Sequence, residues 1–172
     1  METRRSAREQ LRAATDRFLA ELAAVSEDQW RFRPGAKAWS VSEVAEHVAL
    51  SNSTLLRLLS KPLLGSPLAG RRPDVLDLEI PYLFYRGDEP PDVGRPSGEW
   101  HDPRVATESV GTTAGAILDW ADRVESDLRT LGLPHPAFGL LDGVQWVLFV
   151  AAHTERHRAQ ILGLRRHPEF PA

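Results

Sequence analysis

Cysteine is absent from this 172-residue chain. Its absence excludes a disulfide scaffold, a thiolate zinc finger, an iron–sulfur cluster and a cysteine nucleophile. Any metal must therefore be held by His, Asp or Glu. Lysine is scarce as well: Lys37 and Lys61 stand against nineteen arginines. Acidic residues interleave with those arginines, the net charge is −3 and the pI is about 6.1. No basic stripe and no nucleic-acid motif results, so no nucleic-acid partner is expected. Long hydrophobic runs are missing too. The apolar run at 147–152 falls far short of the ~20 residues a membrane span needs. The opening residues Met1-Glu2-Thr3-Arg4-Arg5 lack the apolar core of a signal peptide. A soluble, cytoplasmic protein with no membrane partner is expected. Gly65, Gly70, Gly87, Gly94 and Gly98 are scattered among prolines, so no glycine-rich phosphate cradle is formed. The length fits one domain, 1–172, long enough to bury roughly two thirds of its unfolded surface without a staple.

What is present is helical periodicity. Leu11, Ala14, Phe18, Leu22 and Val25 recur at three and four residues within 4–25, the stripe of a helix packed on a core. A turn region, 26–39, holds Trp30, Pro34, Gly35 and Trp39. Ser40-Val41-Ser42-Glu43 fits a capping box that opens a second helix at 40–60. The inward face of that helix reads Val44, His47, Val48, Ser51, Leu55, Leu58 and Leu59, and Pro62 stops it. Residues 61–103 carry eight of the thirteen prolines and no sustained period. Within them 74–85 is more apolar and reads as a short helix or an extended strip over the helices, a cover or a functional loop. Asp102-Pro103 is an N-cap followed by proline at the first helical position. The third helix is expected over 102–131, on the stripe Val110, Ala114, Ile117, Leu118, Ala121, Val124, Leu128 and Leu131, with Gly132 as its C-terminal cap. After a connector at 133–141 a fourth helix begins at Asp142 and runs to about Arg165, before His167-Pro168. Four long amphipathic helices without a strand pattern argue for an all-α four-helix bundle.

The chemistry concentrates in the fourth helix, at His153-Thr154-Glu155-Arg156-His157. Two His at i and i+4 share one face and can bind one metal ion. That face also holds Trp146, Phe149, Val150, Gln160, Ile161 and Leu164, so the imidazoles sit among apolar residues. Buried imidazoles need partners, and a metal supplies one for each. His47 is a third inward histidine. If the two helices face each other, His47, His153 and His157 converge as a three-His site with open positions, the plan of a catalytic metal centre. The plainer alternative makes His47 a core histidine bonded to a backbone carbonyl. His101 reads as exposed, His135 as a turn residue before Pro136, and His167 as a helix-end charge. Glu155 lies about 200° round the helix from His153, so the His-Glu-x-x-His protease pattern is not met. Glu43 is either a partner for an imidazole or the closing residue of the capping box, and the capping box is the reading taken.

Two blocks resemble a known family. The stretch Trp30-x3-Pro34-x4-Trp39-Ser40-Val41-x-Glu43-x3-His47 is similar to the start of the second helix in the DinB/YfiT-like superfamily. The stretch His135-Pro136-x2-Gly139-x6-Trp146-x6-His153-x2-Arg156-His157-x2-Gln160-Ile161 is similar to its last helix. The resemblance implies an up-down-down-up bundle, with 61–103 as a long proline-rich crossover between helices 2 and 3. It implies a divalent metal, often zinc or nickel, on His47, His153 and His157, and a homodimer. It further implies a metal-dependent S-transferase or isomerase using a low-molecular-weight thiol such as bacillithiol, mycothiol or glutathione, or else a hydrolase. A thiol nucleophile must then arrive as cosubstrate, because the chain supplies none. The expectation is a thiol S-transferase acting on a small-molecule substrate, with Trp146, Phe149 and Gln160 lining or flanking the cofactor pocket. No side chain is assigned as general base. The alternatives are a hydrolase using metal-bound hydroxide, and a stress-linked bundle that its metal merely stabilises.

Overall fold

A computed structural model describes residues 3–61, 63–65, 94–135 and 139–172. The architecture is mostly helical, with five helices among the described residues: α1 (Arg4–Ala23), α2 (Glu27–Arg31), α3 (Val41–Leu59), α4 (Pro103–Arg123) and α5 (Gly143–Arg165). Their starts are fixed locally. The Thr3 side chain accepts from the Ser6 amide, and Ser26 and Ser40 close capping boxes with Gln29 and Glu43. Asp102 caps α4 ahead of Pro103, and Asp142 closes a box with Gln145 at the head of α5. Each cap satisfies amides that the first helical turn leaves without intrahelical partners.

α1 packs on α4 and α5, and α3 packs on the same two helices. Two buried clusters result. One joins Leu11, Leu55, Ile117, Leu128, Leu141 and Val147. The other joins Phe18, Trp30, Val44, Val48, Val110 and Ile161. On α5, residues 153–157 fall between Ala151 of the first cluster and Ile161 of the second, which places a polar layer between two apolar ones. The first turns of α3 and of α5 are buried on every face, from Val41 to Ala49 and from Gly143 to Leu148.

Between α4 and α5 the chain departs from expectation. α4 stops at Arg123, where Val124 turns extended, and Leu128–Thr130 form one 3₁₀ turn. The carbonyls of Val124 and Ser126 accept from the Arg4 guanidinium, so the helix end is stoppered from α1. Val124, Leu128 and Leu131 keep helical spacing without helical backbone. Gly132 is no helix cap. It lies in β2 (Leu131–His135), the middle of a three-stranded antiparallel sheet with β1 (Leu64–Gly65) and β3 (Gly139–Asp142). The Leu140 side chain crosses Gly132 so closely that a Cβ there would lie 3.2 Å from it. Among the described residues, the sheet is an addition to the all-α reading. The short α2 is likewise an addition, inside the expected turn region. Residues 74–85, read as a strip over the helices, lie outside the described residues.

Candidate metal centre

α3 carries His47, and α5 carries His153 and His157 one turn apart. The three Nε2 atoms converge: His153 Nε2 is 3.1 Å from that of His47 and 3.2 Å from that of His157, and all three lie within 4.8 Å of one another. The opposite ring nitrogens fix the tautomers. His47 Nδ1 donates to the Gly94 carbonyl at 2.6 Å, and His157 Nδ1 donates to Gln160 Oε1 at 2.9 Å. A neutral imidazole has one N–H, so both of these Nε2 atoms present lone pairs to the centre. One proton, on His153, is the most that three facing nitrogens can share. Lone pairs at this separation repel unless a cation lies between them. A tetrahedral ion at ~2.0–2.1 Å from each nitrogen separates its ligands by about 3.3 Å, close to the two distances measured from His153. The donor set therefore fits a divalent metal.

The electrostatics agree. Burial, the neighbouring His47 and the Arg156 charge push the His157 imidazole down to about 3, against an ordinary 6.5. Burial and the His157, His47, Arg156 and His135 charges hold His153 well below its ordinary range. His47 is lowered by burial and by Arg156, partly offset by its bond to Gly94. All three are thus neutral at pH 7, the protonation state a metal requires.

Aromatic rings enclose the cluster. Trp39 lies 4.9 Å from the His47 ring and 6.3 Å from His157, centroid to centroid. Phe149 stacks on His153 at 5.8 Å, and His135 meets Phe149 at 4.7 Å and Trp146 at 5.2 Å. Trp146 directs its indole N–H away, to the Leu133 carbonyl, and contributes its ring alone. Gln160 orients His157. Glu43 closes the capping box and pairs with Arg33 at 2.7 Å. Glu155 points away from the cluster to Arg17 and Arg158. Arg158 also reaches Glu21, whereas the charge of Arg156 is felt by all three imidazoles.

Sequence reading missed three neighbours. His135 is not a turn residue: it ends β2, is buried, and is pushed down to about 4 by burial. Trp39 covers two of the three imidazoles. Gly94 supplies the carbonyl for His47, from a backbone at φ +82°. The His-Pro pair and the Trp-Ser start of α3 were visible signals, but nothing in the neighbourhood of Gly94 marks it.

The cluster can be set beside known proteins. No solved structure matches the chain. The uncharacterized protein YuaE of Bacillus subtilis (strain 168) is 25% identical over 156 residues, spanning 87% of this chain and 91% of that protein. The family model of the DinB superfamily matches residues 10–161 and takes in all three histidines. The chain belongs to the DinB superfamily.

Proposed function

We propose that this protein is a metal-dependent enzyme, a low-molecular-weight-thiol S-transferase acting on a small electrophile. His47, His153 and His157 hold its divalent ion, zinc or nickel, both of which accept imidazole. One observation carries the reading. Among the described residues the cluster contains three histidines and no further His, Asp or Glu, which leaves coordination open to an exogenous ligand. When bound, the ion keeps its full +2 charge on three neutral ligands and favours a thiol as thiolate at neutral pH.

The chain's own residues do the rest. Gly94 and Gln160 hold the His47 and His157 rings with their lone pairs inward. Trp39 and Phe149 cover the imidazoles and limit water. Trp146 and His135 back Phe149 from behind. Arg156 places positive charge beside the cluster, where a carboxylate of the thiol cosubstrate is attracted. The long helices form an up-down-down-up bundle, with 61–103 as its crossover, in a cytoplasmic homodimer.

The test uses the cobalt-loaded protein. Addition of glutathione, bacillithiol or mycothiol should produce a sulfur-to-cobalt charge-transfer band, and an aryl halide should turn over only with thiol present. Thiol-independent turnover would replace transfer by hydrolysis. No metal in the purified protein, or equal metal in wild type and H153A, would overturn the reading altogether.

A further inference from the structure

Glu46 is a buried carboxylate that the three-His site does not explain. Only 2% of it is exposed, on the stretch of α3 that is buried from Val41 to Ala49. An unpaired buried charge is costly, and no cation pairs with it among the described residues. It is satisfied by three donors from one short strap. Its Oε1 accepts from the Ser97 amide at 2.8 Å and the Ser97 hydroxyl at 2.6 Å, and its Oε2 accepts from the Gly98 amide at 3.1 Å.

The same strap meets the metal centre. Three residues before Ser97, the Gly94 carbonyl receives the Nδ1 proton of His47, the residue next to Glu46. The contact is close. A Cβ on Gly94 would lie 2.6 Å from Ser51 Oγ and 3.3 Å from His47 Nδ1, and φ is +82° there and +77° at Gly98. Such a backbone favours glycine at both positions. Strap 94–98 is therefore pressed on α3 at two adjacent points, one on a carboxylate and one on a ligand.

We propose that Glu46 is a positioning residue for the metal centre. It locks strap 94–98 on α3, so that the Gly94 carbonyl fixes the tautomer and ring plane of His47. The inference rests on the three-His reading. Partners of this kind are typically worth ten- to hundredfold in metal affinity.

Chelator-competition titration of the full chain with Co(II) tests it, at a temperature where circular dichroism finds every variant folded. E46A and G94A should each bind ten- to hundredfold more weakly than wild type and shift the visible cobalt band. E46Q, which still accepts from Ser97 but turns an amide N–H₂ toward Gly98, should fall between. In an H47A background E46A should add no further loss, because the carboxylate acts through His47. Should E46A fail to fold, E46Q and S97A carry the same cycle. Unchanged affinity in E46A, E46Q and S97A, or an equal loss with and without His47, overturns the proposal while leaving the metal site standing. Wild-type affinity no greater than that of H153A overturns the site, and the proposal with it.

Discussion

Acidifying the metal-free protein should destabilise it steeply well above the carboxylate range. A buried neutral imidazole takes its proton in the unfolded chain before it does so in the folded one. Between the folded and unfolded values, the unfolded state therefore holds more protons, and stability falls as pH falls. His157 titrates at about 3 and His135 at about 4 in the fold, against an ordinary 6.5. Their stabilisation is fully present above pH 6.5 and is lost as pH falls toward those values. From pH 7.5 to 5, each should cost about 2 kcal/mol, or about 4 kcal/mol together. That is a large share of the ~5–15 kcal/mol that holds a domain folded. His47 and His153 are shifted in the same direction and steepen the loss. Urea unfolding of the chelated protein at pH 7.5, 6.5, 5.5 and 5 measures it, with H135Q expected to flatten part of the slope. A stability constant over that range, or one that rises toward pH 5, would refute the claim that these imidazoles are neutral in the fold.

H153A should lose stoichiometric metal, read by elemental analysis, and should lose the upward shift in melting temperature that metal confers on the wild type. W30A should cost about 3–5 kcal/mol in urea unfolding, because the ring is fully buried and its N–H is bonded to the Trp100 carbonyl. D142A should cost about 3–5 kcal/mol by the same assay. Its carboxylate, itself buried, both caps α5 and pairs with Arg129 at 2.9 Å.

The features legible in the sequence are those decided locally. Ser40 with Glu43, Asp102 with Pro103, and Asp142 all start helices where the residues predict it. The four-residue spacing of His153 and His157 needs only helical geometry to bring the two imidazoles together. What failed to read out depends on distant segments. Val124, Leu128 and Leu131 imitate a helical stripe, yet Arg4 stoppers the helix end before them and Leu128 reaches the core from a 3₁₀ turn. Gly132, Pro134 and Gly139 look like loop punctuation, and their pairing with Leu64, Leu140 and His135 is set by register. His135 is buried because Trp146 and Phe149 come to it from α5. Glu46 looks in sequence like any solvated helical charge. It is buried because residues 51 and 52 positions further along fold back onto it.

The site thus divides into a local half and a tertiary half. His153 and His157 are adjacent whenever α5 is helical. His47 joins them only when α3 packs on α5, and it is aimed only when Gly94 takes its Nδ1 proton. On the proposed reading, metal affinity reports on the packing of α3 and on the docking of strap 94–98, although among the described residues neither His153 nor His157 hydrogen-bonds to that strap. The coupling is reciprocal by linkage: whatever the strap adds to metal affinity, the bound metal adds to strap docking. Two ligands alone would bind metal in a loosely folded chain, whereas the third restricts tight binding to the packed state. On the proposed reading, the long sequence separation between His47 and His153 makes a bound metal a stabiliser of tertiary structure, and leaves the helices themselves to form without it.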